Sequence, residues 1–139
     1  MTTELTQQAM QAYGTELIKR GPYGQYFTSD VTFTLMGPGQ VFRGAAAVED
    51  FIRLLHERAF DAQPELLSMI CGDGQASLEA VFRGQHTAEF LGVAATGRSV
   101  EVPYSVFYEL RGDKISALRA YMPVDVLMAQ LTGPEPVAA

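Results

Sequence analysis

The order of elements along the chain predicts an α+β fold, with helices packed on one face of a curved, mostly antiparallel sheet. Three observations predict it. Apolar residues recur at helical spacing near the N-terminus, and a strongly amphipathic segment lies at 45–59. From residue 65 onward the chain reads as β-like segments joined by Gly- and Asp-containing turns.

Each element follows from its residues. Thr3 is the expected N-cap of a first helix, in which Leu5, Ala9, Tyr13 and Leu17 share a face until Gly21-Pro22 stops the pattern. Residues 23–27 suit a short second helical turn, and Ser29-Asp30 breaks it. Residues 31–35 have the β-branched and aromatic character of a strand, Gly37-Pro38-Gly39 is a turn, and Val41-Phe42 forms a short return strand. The helix expected at 45–59 places Val48, Phe51, Ile52 and Leu55 on one face, with Glu49, Arg53 and Glu57 away from it. Pro64 marks a new segment, a strand over 65–71 follows, and Gly72-Asp73-Gly74 is a hairpin signal. Strands over 76–83, 100–110 and 114–122 come next, the last two joined by Gly112-Asp113, and a short helix at 124–131 closes the domain. Residues 1–131 are expected to form a single domain and 132–139 a flexible tail.

Composition narrows the function. With 139 residues, 47% hydrophobic and 19% charged, the chain can bury a substantial core. A net charge of −6 with scattered Lys and Arg argues against a nucleic-acid or anionic-membrane surface. Cys71 stands alone, so neither an intrachain disulfide nor a cysteine zinc cluster is available, and it reads as a small core residue. Two histidines without adjacent acidic ligands argue against a metal site, and no cofactor is expected. There is no signal-peptide pattern and no apolar run of membrane-spanning length, so a soluble cytoplasmic protein is expected.

Four short motifs carry a resemblance: Phe42-Arg43-Gly44 before the amphipathic helix, the stretch from His86 to Gly92, Thr96-Gly97-Arg98, and Gly112-Asp113-Lys114-Ile115. In this order and spacing the sequence resembles the SnoaL-like polyketide cyclases, a branch of the nuclear transport factor 2-like (ketosteroid-isomerase-like) superfamily. The resemblance implies a cone-shaped curved sheet wrapped around the N-terminal helices and enclosing a pocket. It also implies an outer sheet face that packs on a second subunit. Family cyclases carry a His-x-Asp pair on the last strand, and the matching positions here are Leu118 and Ala120. In the related limonene-epoxide hydrolases an Arg and an Asp stand on the strand after the turn matching Gly72-Asp73-Gly74, near Ala80 and Phe82 here. None of these four side chains can move a proton.

Strand alternation identifies what is left. On 100–110, Val102, Tyr104, Val106 and Tyr108 share one face, the better candidate for the interior, and Glu101, Ser105, Phe107 and Glu109 share the other. On 114–122 both faces are partly apolar, and the resemblance assigns Leu118, Ala120 and Met122 to the interior and Arg119 and Tyr121 to the exterior. Tyr104 is the leading catalytic candidate, as a donor to a carbonyl or enolate oxygen; the alternative is a core tyrosine satisfied by a backbone carbonyl. His86 is the second candidate, with a structural hydrogen bond as its alternative. His56 is read as a partner of its helix's C-terminal dipole. Phe33, Leu35, Phe51, Phe82, Val102, Tyr108, Leu118, Ala120 and Met122 complete the expected wall, which suits a small apolar, polyketide-like or cyclic molecule. The expected function is an isomerase or cyclase without the usual acid/base pair. The alternative is a binding or dimerisation module. A homodimer through Phe107, Arg119 and Tyr121 is expected in either case.

Overall fold

The computed structural model describes residues 2–134. Its order is α1 (Thr3–Lys19), a 3-10 turn (Tyr23–Tyr26), β1 (Phe27–Leu35), β2 (Gln40–Arg43), α2 (Ala45–Arg53), a π turn (Leu54–Arg58), β3 (Phe60–Gly72), β4 (Gln75–His86), β5 (Ser99–Arg111), β6 (Lys114–Tyr121) and α3 (Val124–Thr132). The strands form one six-stranded sheet in the order β2-β1-β6-β5-β4-β3. Every neighbouring pair is antiparallel except β1 and β6. Helices α1, α2 and α3 pack against β3, β1 and β5 respectively, making the α+β cone that the element order and the resemblance predict.

The helices are set by local chemistry. The cap of α1 is Thr2 rather than Thr3: its hydroxyl accepts the Leu5 N–H at 3.1 Å. The buried stripe of α1 is also shifted. Thr6, Met10 and Tyr13 are buried, while Leu5 is exposed. Thr6 is accepted inside because its hydroxyl receives the Gly74 N–H at 3.0 Å, from the β3–β4 hairpin, and donates to the Thr2 carbonyl. Helix α2 buries Val48, Phe51 and Ile52 on the expected face, and Leu55 continues it into the π turn. Phe51 stacks on Phe42 with ring centroids 4.0 Å apart and meets Phe33 edge-on at 5.2 Å. Such pairs add about 0.5–1.5 kcal/mol beyond their area burial.

The strands run longer than their sequence signals. Strand β3 begins before Pro64, which pairs with Phe82 inside the ladder. Proline is tolerated because β3 is an edge strand, where an absent N–H breaks no interior ladder. Close contact explains Gly84, which pairs with Ala62: an added Cβ would sit 2.4 Å from the Asp61 carbonyl oxygen. Along β5, Val100, Val102, Val106, Tyr108 and Leu110 are buried, so the inner face is the one alternation predicts.

Leu118 and Ala120 on β6 are likewise buried. Arg119 and Tyr121 lie on the outer face. The Arg119 guanidinium covers the Phe107 ring at 4.9 Å and pairs with Glu109 at 2.5 Å. The final helix reaches Thr132, and residues 135–139 of the expected tail lie outside the described residues.

Candidate functional site

The concave face of the sheet leaves two voids. One is internal and small, about 60 Å³, lined from the sheet, α1, α2, the π turn and α3. Phe33, Leu35, Phe51, Phe82, Tyr104, Tyr108, Leu118, Ala120 and Met122 all line it; Val102 is fully buried in the core and does not. The other void is a groove of about 870 Å³ between α1 and the inner faces of β3, β4 and β5. Met10, Leu17 and Ile18 form its helix side, and Leu66, Met69, Leu78 and Ala80 its sheet side. Only the groove has the volume of an organic-ligand site, typically ~300–1,000 Å³. The groove exists because α1 covers only part of the sheet.

The two voids share Tyr13, Leu17, Tyr104 and Tyr108 on their walls. Three phenols therefore stand on the wall common to both voids, Tyr13 from α1 and Tyr104 and Tyr108 from one face of β5. The Tyr13 and Tyr108 rings meet edge-on with centroids 6.2 Å apart. No described residue hydrogen-bonds to any of the three hydroxyls. Burial pushes the Tyr104 phenol up to about 12. Burial, with repulsion from the neighbouring phenols added, pushes Tyr13 and Tyr108 well above the usual phenol range. All three thus keep their O–H at neutral pH and are available donors.

His56 is the functional candidate that sequence reasoning passed over. It sits in the π turn, whose Ala59 N–H reaches back to the Leu54 carbonyl at 2.7 Å. Such turns recur at functional sites in other proteins. The His56 Nδ1 lies 2.8 Å from the Ile52 carbonyl oxygen. A carbonyl only accepts, so Nδ1 carries the proton and Nε2 bears the lone pair. Nε2 is buried with no protein partner, and the residue lines the internal void. Burial is the main cause holding its pKa below the ordinary 6.5, so the ring is neutral at pH 7. The Arg20 guanidinium fixes this turn to α1 and β3 through the carbonyls of His56, at 3.0 Å, and Ala62, at 3.2 Å.

His86 is placed differently. Fully buried at the end of β4, it packs on Phe60 at 5.1 Å and lines neither void. Its Nδ1 accepts the Thr96 N–H at 3.1 Å, and its backbone exchanges hydrogen bonds with Arg98 and Gly97. Arg98 then donates to the carbonyls of Gln130 and Gly133, at 3.1 and 2.6 Å. The His86 and Thr96-Gly97-Arg98 motifs thus clasp the β4–β5 loop and tie it to α3. Among the described residues there is no group of three His, Cys, Asp or Glu side chains able to hold a metal ion.

A curved α+β cone with paired voids on its concave face defines the class, the nuclear transport factor 2-like fold. A model of the SnoaL-like polyketide cyclase family matches residues 7–131, and the chain belongs to that family. Among solved structures it is similar to a protein assigned as a SnoaL-like polyketide cyclase from Jannaschia sp. CCS1, at 16% identity and a TM-score of 0.85, covering 96% of this chain and 95% of that one. It is also similar to a protein assigned as a polyketide cyclase from Xanthomonas campestris pv. campestris, at 19% identity and a TM-score of 0.82, covering 94% and 98%. A third likeness is to a protein assigned as a ketosteroid isomerase from Kribbella flavida, at 18% identity and a TM-score of 0.70, covering 100% and 87%. Identities this low show the fold alone. No curated protein matches the sequence. Family and fold together support a cyclase- or isomerase-type or ligand-binding function. No helix among the described residues is long and apolar enough to cross a membrane.

Proposed function

We propose that the protein is an isomerase or cyclase for a neutral, apolar, oxygenated small molecule, with Tyr104 as the donor to its reacting oxygen. One observation carries the reading: the Tyr104 hydroxyl, protonated and without a protein partner, stands on the wall common to both voids. A protonated phenol in an apolar site stabilises negative charge developing on a carbonyl oxygen. The groove takes the body of the molecule, and the internal void admits only its reactive end. Tyr104→Phe keeps the shape and removes the donor. Turnover should fall on the order of 10²-fold, the scale of losing one oxyanion donor. Affinity should change far less, since buried apolar area supplies most of it. Unchanged turnover in Tyr104→Phe removes Tyr104 from the reaction.

A binding module is the second reading. It is favoured by Leu118 and Ala120, which line the internal void where family cyclases carry their acid/base pair. Saturable binding of apolar ketones with no chemical change in any of them would select it.

The assembly we propose is a homodimer through the outer sheet face. Ile70 and Tyr121 are 74% and 50% exposed there, beside Phe107 and Arg119. Ion pairs Arg83–Glu101 and Arg119–Glu109 surround these apolar side chains, the mixed character of a protein interface. Light scattering at micromolar concentration should give twice the chain mass, and Tyr121→Asp should return it to monomer; a monomer from the unaltered protein contradicts the dimer.

A further inference from the structure

We infer that the groove between α1 and β3 is a binding site for a free linear monocarboxylic acid, with its alkyl chain laid along the helix and its carboxylate on Lys19. This function goes beyond the reaction proposed above and does not depend on it.

The shape of the groove suits a chain. Its lining runs from Thr3 to Lys19, the two ends of α1, so it follows the helix for about 24 Å. Its sheet wall is a continuous row. A bulge between Leu66 and Ser68 leaves Leu67 out of the ladder and re-phases β3. Pro64 and Leu66 before the bulge, and Met69 and Cys71 after it, therefore all line the groove. On the helix side lies Gly14, where an added Cβ would meet no atom within 4 Å. Glycine weakens a helix interior, and nothing in the chain packs over this one. The space it leaves lets an alkyl chain pass close to the α1 backbone.

Charge selects the head group. Acidic residues outnumber Lys and Arg by 16 to 10, yet Lys19 is the one charged residue among the described residues that line the groove. Its ammonium has no carboxylate partner among the described residues. Lys19 ends an exposed row of neutral polar residues, Thr3, Gln7, Gln11 and Thr15, at four-residue spacing along α1. An anion thus meets attraction at one end of the groove and no repulsion along it. Ile18 from the helix and Leu66 from the sheet are 49% and 56% exposed, and a bound alkyl chain would cover them. A carboxylate beside exposed Lys19 keeps its water. On the buried phenols of Tyr13 and Tyr108 it would lose that water, which is costly for a charge.

The test is titration calorimetry of the intact protein with octanoate, decanoate, dodecanoate and decanol, all below their micellar concentrations. Each added methylene should tighten binding about two- to fourfold, the scale of a partly to fully buried CH₂. Lys19→Gln should weaken decanoate about two- to fivefold, the scale of an exposed ion pair, and leave decanol unchanged. Gly14→Leu fills the open space and replaces a poor helix former with a good one. It should hold or raise the thermal midpoint and abolish decanoate binding. Leu66→Glu, at an exposed position, sets a like charge on the sheet wall and should also weaken the acid. Binding that ignores chain length, or that survives both Gly14→Leu and Leu66→Glu, overturns the groove site. Decanoate binding unchanged by Lys19→Gln overturns the place given to the carboxylate. Flotation with phosphatidylcholine vesicles, without binding of the free acids, would assign the groove to a membrane lipid and overturn the free acid. The compact bicyclic ketone 2-tetralone separates this site from the reaction above. If the ketone binds and no acid does, the acid site falls and the pocket reading stands. If the acids bind and the ketone does not, the acid site stands and the pocket reading falls.

Discussion

The two histidines occupy two regions of the same cone, and their differences separate architecture from chemistry. His86 is fully buried and His56 half-buried, and each has a buried Nε2 without a protein partner. At His86 the Nδ1 atom accepts the Thr96 N–H, so the ring acts as a clasp for the β4–β5 loop. At His56 the Nδ1 atom donates to the Ile52 carbonyl, on a residue that lines the small void. The motif that carries the family resemblance belongs to His86, and the place beside a void belongs to His56. Tautomer and access to a cavity distinguish them, and residue type does not.

The strongest way to break both regions at once is Phe60→Ala. Phe60 is fully buried and touches His86, Phe82 and Phe90 at 5.1, 5.3 and 5.3 Å, while Phe82 in turn meets His56 at 5.5 Å. Its loss should cost about 3–5 kcal/mol in chemical denaturation. A neutral result would deny that one aromatic bridge joins the two regions. The clasp alone is tested by His86→Ala. That change removes the acceptor of the Thr96 N–H and the buried ring packed on Phe60, and should cost about 1–3 kcal/mol, with faster amide exchange confined to 87–98. Unaltered exchange there would mean the loop holds itself.

The smallest effect sharpens the other side of the comparison. Because the folded-state pKa of His56 lies below its unfolded value, the unfolded chain binds the proton first as pH falls. Stability from this group is therefore complete above about 6.5, the ordinary imidazole value. It declines as pH drops through that value, until the folded protein also takes the proton. His56→Gln should flatten that slope between pH 7 and 5. An identical slope in the variant would place the His56 ring in water rather than on an apolar wall.

Much of this arrangement is legible in the sequence. The face of α2 is written in Val48, Phe51, Ile52 and Leu55, because one amphipathic helix has one period. The inner faces of β5 and β6 are written in alternation and in the family resemblance. The buried stripe of α1 is not legible, since Thr6 goes inside only because Gly74 meets it from a distant hairpin. Nor does the local pattern show that Pro64 lies within β3, because edge position is a property of the whole sheet. The local pattern places His56 at the end of a regular helix. The π turn that sets it on the void is a tertiary outcome, held by Arg20 from α1. The groove is invisible for a similar reason: its size depends on how much of the sheet α1 leaves uncovered.

The central claim is that the wall shared by the two voids binds a neutral ketone. A crystal structure with 2-tetralone at saturating concentration tests it most directly. The aromatic ring should lie in the groove beside α1, and the carbonyl oxygen about 2.7 Å from the Tyr104 hydroxyl, the usual length of such a bond. A ketone bound only on the outer sheet face, or voids left empty at saturation, would contradict it.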